Sequence, residues 1–304
     1  MELMYKLAKQ KQPLWLRNVL EDYYDERSFY TKINQTTSED HPIRAGTAQG
    51  AVLSPALFSL FTADLPLEGL STFMFADDTA VLIPGPKASD INVRANKILD
   101  NIQKWTTEWK TKINGTKSHA IALKGTRKLA DIKLQINKET IPIKRELKYL
   151  GVNINGRMSS ATHINAILKK AKKKSKALRK WVHSQYKSVS CKTKAQLYRA
   201  LIQSGLTYGL PAWDLITTNQ QRRLTEFERG WARSCLGVHQ RTPSTIIEET
   251  TPFPLIKTLR RDIAKKNYEY VRNHLNPLVK STLEYEATAG QLQTTISKWP
   301  LYEI

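Results

Sequence analysis

Thr72-Phe73-Met74-Phe75-Ala76-Asp77-Asp78-Thr79-Ala80-Val81-Leu82 sets two adjacent aspartates between two apolar runs. Phe73 to Ile83 reads as two strands around a tight Asp77-Asp78 turn, and Pro84-Gly85-Pro86 ends the hairpin. Two carboxylates side by side are costly. At about 4 Å and an effective dielectric near 20 they repel by roughly 4 kcal/mol. A hard divalent cation removes that penalty, and Mg2+ takes one or two carboxylates together with substrate phosphates. A pair of such ions stabilises the attacking and leaving oxygens of an in-line displacement. Aspartate is also an ordinary turn residue, so the dipeptide alone is a structural turn; its neighbours decide.

Upstream stands Ala45-Gly46-Thr47-Ala48-Gln49-Gly50-Ala51-Val52-Leu53-Ser54-Pro55-Ala56-Leu57-Phe58. Its glycines let the backbone approach a ligand closely. Ser54-Pro55 is a cap and first turn, opening a helix through Ala63 with Leu57, Phe58 and Phe61 inward. A flexible turn before a helix accounts for Gly46 and Gly50, but not for Gln49. Downstream come Trp109-Lys110-Thr111-Lys112-Ile113-Asn114-Gly115-Thr116-Lys117-Ser118 and Lys148-Tyr149-Leu150-Gly151-Val152. Alone, Lys117 is a solvated charge, and the second string is a buried strand with a glycine bulge.

In this order the four segments resemble the palm of reverse transcriptases from LINE-type (non-LTR, jockey-like) retrotransposons. His163-Ile164 before a lysine-rich helix, then Leu206-Thr207-Tyr208-Gly209 with Trp213, is similar to the thumb of the same elements. The resemblance implies an α+β fold: a partial polymerase palm over residues 1–155, its antiparallel sheet packed on helices, then an all-α thumb and C-terminal region over 156–304. It implies RNA-directed DNA polymerase activity by two-metal nucleotidyl transfer. Asp77 and Asp78 would hold Mg2+, Lys117 would protonate the departing pyrophosphate, and Gln49 and Gly50 would contact nucleotide or template. Tyr149, Leu150 and Gly151 would form the primer grip. The partners so implied are an RNA template, a DNA primer, their hybrid and deoxynucleoside triphosphates.

Composition agrees. The chain carries 48 Lys and Arg against 27 Asp and Glu, a net charge of +21. Such a surplus favours a polyanion, because each neutralised phosphate releases counterions. A basic structural protein or one that touches anionic membrane is the alternative. The most apolar stretch, Ala51 to Phe61, is interrupted by serines and a proline and falls far short of the roughly 20 residues of a membrane span. The first residues lack the pattern of a signal peptide. Cys191 and Cys235 have no Cys-His set nearby, which excludes a disulfide framework and a zinc knuckle and points to an intracellular, cytoplasmic or nuclear setting.

Periodicity fills in the rest. Pro13 opens a helix with Leu16, Val19, Leu20 and Tyr23 on one face. Arg27 to Asn34 and His41 to Ala45 read as strands. Ser89 caps a helix bearing Ile91, Ala95, Ile98, Ile102, Trp105 and Trp109. Ser118 to Leu123, Asp131 to Ile136 and Leu147 to Ile154 alternate as strands, giving a two-layer sheet of three or more strands. Beyond Gly156 the pattern turns helical. Ile164, Ile167, Ala171, Ser175, Leu178 and Val182 trace a buried face, and further helices run over Lys194 to Ile202, Gln220 to Leu236 and Leu255 to Val271. Lys169, Lys170, Lys173, Lys174, Lys176 and Lys180 form either a solvated face or a row along duplex phosphates, which carries no sequence readout.

The resemblance also implies a first catalytic aspartate in a motif just upstream of Glu2-Leu3. Asp22, Asp25 and Asp64 lack that motif's neighbouring residues. These 304 residues by themselves are therefore expected to be inactive as a polymerase, with a sheet edge left open. A non-catalytic nucleic-acid-binding remnant is the alternative function.

Overall fold

The computed structural model describes residues 2–43, 45–48, 50–65, 67, 71–123, 132–184, 189–213, 216–275 and 279, with backbone alone over 181–184. The chain forms two compact units, Met1–Ala120 with Thr126–Ile143, and Ile121–Gly125 with Lys144–Ile304. Short antiparallel ladders alternate with helices first and helices dominate later, the α+β class expected.

The first unit runs α1 (Glu2–Lys9), α2 (Leu14–Tyr24), β1 (Ser28–Phe29), β2 (Lys32–Ile33), β3 (Thr36–Thr37), β4 (His41–Pro42), α3 (Ser54–Thr62), β5 (Ser71–Phe75), β6 (Asp78–Leu82) and α4 (Ala88–Glu108). β7 (Ala120–Ile121), β8 (Leu134–Ile136), β9 (Glu139–Ile141) and β10 (Ile143–Lys144) follow. Leu7, Leu20 and Leu57 bring α1, α2 and α3 together, with Leu16, Tyr24 and Leu60 around them. The buried stripe of α2 is thus the single row Leu16, Leu20, Tyr24. Val19 and Tyr23, expected inward, lie on the next row and are exposed.

Lys6 of α1 joins this cluster to α4. Its side chain is 2% exposed, and its ammonium donates to Asp64 Oδ1 at 2.5 Å and to the Phe61 carbonyl at 2.6 Å. The charge faces the rings of Phe61, Trp105 and Trp109 at 4.4, 4.4 and 3.9 Å. Trp105 Nε1 donates to the same Asp64 oxygen at 3.1 Å. Aromatic faces stabilise a desolvated cation, and the carboxylate balances it.

α4 lays Ala95 and Ile102 on Leu134, Ile136 and Ile141 of β8–β9. The sheet of three or more strands is not formed: every strand among the described residues pairs with one neighbour only. At β8 the reason is visible. Its free edge is met by side-chain amides of α4, with Asn92 Oδ1 accepting from Lys133 N at 2.9 Å, Asn96 Oδ1 from Gln135 N at 3.3 Å and Gln103 Oε1 from Asn137 N at 3.2 Å. Neither serine cap is made. Ser89 Oγ donates to Asp90, and Ser54 Oγ donates to the Ala48 carbonyl at 2.6 Å, tying α3 to the loop before it.

The second unit holds β11 (Glu146–Tyr149), β12 (Val152–Asn155), α5 (Ala161–Ser184), α6 (Cys191–Tyr198), a π-helical turn (Arg199–Gln203), α7 (Ser204–Thr207), α8 (Leu210–Trp213), α9 (Thr218–Leu236), α10 (Ser244–Thr250) and α11 (Ile256–Asn273). In this unit Val152 of the hairpin packs against the helical core. That core centres on Ile164, Tyr198, Leu224, Trp231 and Ile256, all at most 1% exposed. Trp231 Nε1 donates to Ser175 Oγ at 2.8 Å inside it. Thr217 and Gln220 cap α9 reciprocally, and Gly237 ends it at φ 71°. Among the described residues no helix is long and apolar enough to cross a membrane.

One acid lies in this core. Glu228, fully buried on α9, accepts from the Ile256 amide at 2.8 Å and from Gln203 Nε2 and the Tyr198 hydroxyl, each at 3.3 Å. It serves the first amide of α11, which has no partner within its helix. Burial pushes its pKa up to about 7, and the three donors only partly offset this.

Two outcomes follow from these buried charges. Asp64→Ala leaves the Lys6 ammonium without its counter-charge and should destabilise the first unit by about 2–3 kcal/mol, the low side for a broken buried pair because Asp64 is part-exposed. Lys6→Met should cost clearly less; equal losses in urea titration would contradict the cage. For Glu228, the folded pKa exceeds the ordinary value of 4.5, so its stabilising share is complete below pH 4.5 and is lost as pH rises through about 7. The loss amounts to about 3 kcal/mol. Stability of the wild type relative to Glu228→Gln should therefore decline between pH 5 and 8, and parallel profiles would refute the assignment.

Candidate functional site

β5 and β6 pair from Ser71↔Leu82 to Phe75↔Asp78, so the loop is the two residues Ala76-Asp77, and Asp78 begins the returning strand. The turn therefore sits one residue earlier than the Asp77-Asp78 reading. Ala76 takes φ 50°, the left-handed position of a primed turn where glycine is favoured. An L-residue there costs roughly 1–2 kcal/mol. Both aspartates are exposed, and among the described residues neither carboxylate has a hydrogen bond or ion pair. No group of three or more His, Cys, Asp or Glu that could hold a metal occurs among the described residues. Two adjacent unpaired carboxylates nonetheless suit a hard divalent cation that completes its shell with water and phosphate oxygens.

Gly46 and Gly50 flank the upstream loop at φ 86° and 82°, conformations that a side chain would strain. A Cβ at either would meet nothing within 4 Å, so both face open space. Arg27 Nη2 holds the Gly46 carbonyl at 2.9 Å. Gln49 lies outside the described residues. Lys117 is exposed on a turn organised by Asn114, whose side-chain oxygen accepts from the Lys117 amide at 3.1 Å. Beside it the chain packs closely, a Cβ on Gly115 meeting the Glu139 side chain and standing 3.2 Å from Ile136 Cγ2.

Tyr149 and Val152 close the β11–β12 hairpin, leaving Leu150-Gly151 as its two-residue turn; the glycine marks this turn and not a bulge. Both are left-handed, at φ 43° and 83°. The Tyr208 hydroxyl donates to the Leu150 carbonyl at 3.0 Å. In β12 the Asn153 amide donates to His163 Nδ1 at 3.2 Å. His163 is buried, and desolvation, with Lys170 nearby, lowers its pKa, so the ring is neutral. The residues that anchor this hairpin are thus His163 and Tyr208. Both stood in the segments quoted for the helical half, but nothing in their spacing announced the contact.

Lys169, Lys170, Lys173, Lys176 and Lys180 project from α5 without a partner among the described residues, and no acid lies on this helix. Lys174 differs: its ammonium donates to the Leu201 carbonyl at 3.1 Å, in the π-helical turn. Arg179, part of the same charge run, is structural, donating to the Gly230 carbonyl at 3.0 Å and lying 5.1 Å over the Trp231 ring. Asp64 is occupied by Lys6 and Trp105.

The family described as reverse transcriptase (RNA-dependent DNA polymerase) matches residues 2–154. Over 287 residues the chain is 26% identical to the RNA-directed DNA polymerase from mobile element jockey of Drosophila melanogaster, covering 91% of this chain and 31% of that protein. It is 23% identical over 279 residues to a probable RNA-directed DNA polymerase from transposon X-element of the same species, covering 90% and 30%. To the corresponding protein of transposon BS it is 25% identical over 221 residues, covering 68% and 24%. The chain thus spans about a third or less of the length of these relatives.

Proposed function

From the premise that this chain belongs to the reverse transcriptase (RNA-dependent DNA polymerase) family, we propose that it forms the metal-binding and primer-holding part of an RNA-directed DNA polymerase of a non-LTR retrotransposon. One observation carries the reading: two adjacent unpaired carboxylates, one within a strained two-residue turn and one directly after it, lie inside the family's matched segment. Strain of this kind persists only where the surrounding structure fixes it, and functional sites are one place where it gathers. Residues 1–155 are assigned to part of the palm and 156–304 to the thumb and C-terminal region. The substrates are an RNA template, a DNA primer and deoxynucleoside triphosphates.

Asp77 and Asp78 would hold a divalent cation, assigned as Mg2+, through carboxylate oxygens. Bound there, the cation would supply charge neutralisation on the nucleotide's phosphates and a lowered pKa for the primer 3′-hydroxyl. In the transfer, the 3′-hydroxyl would give up its proton to solvent as its oxygen bonds to the α-phosphorus and the bond to pyrophosphate breaks. Lys117, a free ammonium on an ordered turn, gives its proton to the departing pyrophosphate oxygen. Gln49 and Gly50 contact nucleotide or template, the open face of Gly50 allowing close backbone approach. Tyr149, Leu150 and Gly151 seat the primer. Lys169, Lys170, Lys173, Lys176 and Lys180, with Lys174 beside them, meet phosphates of the hybrid.

Iron-mediated cleavage tests the metal assignment without requiring turnover. Fe2+ with ascorbate and peroxide, in the presence of primed template and nucleotide, should cut the chain around residues 75–79, and Mg2+ should suppress the cut. Asp77→Asn and Asp78→Asn should each abolish it; cleavage unchanged in both variants would overturn the site. For the lysine row, log affinity for an RNA–DNA hybrid should fall linearly with log salt. Each of Lys169→Gln, Lys173→Gln and Lys176→Gln should reduce that slope by about one phosphate contact. A slope indifferent to all three would remove α5 from the interface.

A further inference from the structure

We infer that Tyr208 is a positioning residue for the primer-seating turn: its hydroxyl and ring hold Leu150 and Gly151 in the conformation that meets the primer's 3′ end. The inference rests on the proposed function, since the turn seats a primer only in a polymerase of that kind.

The argument begins with backbone strain. Leu150 sits at φ 43°, although asparagine, aspartate and glycine are the residues that tolerate this position in a two-residue hairpin turn. Such a conformation persists only where surrounding contacts fix it. Tyr208 provides the contact at the strained residue, its hydroxyl donating to the Leu150 carbonyl at 3.0 Å. Its ring lies against the next residue so closely that a Cβ on Gly151 would stand 2.6 Å from Tyr208 Cε1. Turn and ring are fitted to each other.

Tyr208 is itself held from behind. Its carbonyl accepts from Trp213 Nε1 at 2.9 Å, and Trp213 is 2% exposed. The Trp213 ring tilts against His163 at 5.4 Å, and His163 Nδ1 accepts from the Asn153 amide of β12. Gly209, at φ 62°, turns the chain where a Cβ would come 2.9 Å from Val152 Cγ2. The hairpin is therefore gripped at its tip by Tyr208 and along its strand by His163, with one buried tryptophan behind both.

A core-filling role does not account for Tyr208, whose side chain is 57% exposed. An exposed tyrosine hydroxyl ordinarily bonds water; this one is committed to the carbonyl of a strained leucine. Removing the hydroxyl should thus loosen the turn and leave the helical core intact.

The test uses the full chain and an RNA–DNA hybrid carrying 2-aminopurine either as the primer's 3′-terminal base or well inside the duplex. Wild type should change the fluorescence of the terminal probe on binding. Tyr208→Phe, lacking one neutral hydrogen bond, should lower the equilibrium constant for holding the turn by about fivefold and weaken the terminal signal accordingly. Tyr208→Ala should abolish that signal. In both variants hybrid affinity, the internal probe and the melting temperature should stay at wild-type values. A terminal signal equal to wild type in both variants would overturn the inference, and so would joint loss of terminal signal, internal signal and affinity. Wild-type binding without any terminal response would remove the primer seat and leave duplex binding standing. Absence of binding even at low salt would remove the proposed function together with this inference.

Discussion

A two-residue loop can join antiparallel strands of right-handed twist only if its backbone turns left-handed, and four hairpins of this chain obey that constraint. Two enter it with asparagine, Asn34 and Asn137 (the latter followed by Lys138 at φ 65°), residues whose short amide side chains tolerate the region. The other two meet it with Ala76 and Leu150, which do not. Those two turns carry the paired aspartates and the residues assigned to the primer. At the first turn position, preference and adopted conformation disagree in the two hairpins assigned to chemistry and agree in the other two, although Lys138 shows that a structural turn also carries a disfavoured residue.

Local signals were readable wherever a few neighbouring residues decide the outcome. The Phe73–Ile83 hairpin and the helices over 161–184 and 218–236 follow from periodicity or turn chemistry. Slips occurred at single residues. The turn fell at Ala76-Asp77 because strand pairing runs on to Asp78, and Ser54 and Ser89 bond elsewhere instead of capping their helices. The extended sheet failed for a reason that no window of sequence contains: amides of α4, about forty residues upstream, take the edge of β8. At the candidate site the residue types were legible, but the clamp was not, because Tyr208 reaches the turn across 58 positions of chain.

The buried polar groups share that long range. Lys6 finds Asp64 at a separation of 58 residues, and Glu228 finds Ile256 at 28. Lysine and glutamate at such places look like surface residues in a sequence, since burial without a partner is prohibitive. Each instead ties three or more segments at once: Lys6 joins α1, the end of α3 and α4, and Glu228 joins α6, the π-helical turn, α9 and α11. Such groups fix which elements meet, a specificity that apolar packing alone leaves looser.

α5 concentrates eight cationic side chains and no acidic one within 24 residues. Lys169 and Lys173, Lys170 and Lys174, Lys172 and Lys176, and Lys176 and Lys180 stand one turn apart, and each such like-charge pair costs about 0.2–0.5 kcal/mol. The free helix is accordingly self-repelling, kept in place by its buried face. Dissolved ions that shield the lysines from one another should firm the unliganded protein, while a polyphosphate strand would relieve the same repulsion more completely and act as a stabilising ligand of the fold.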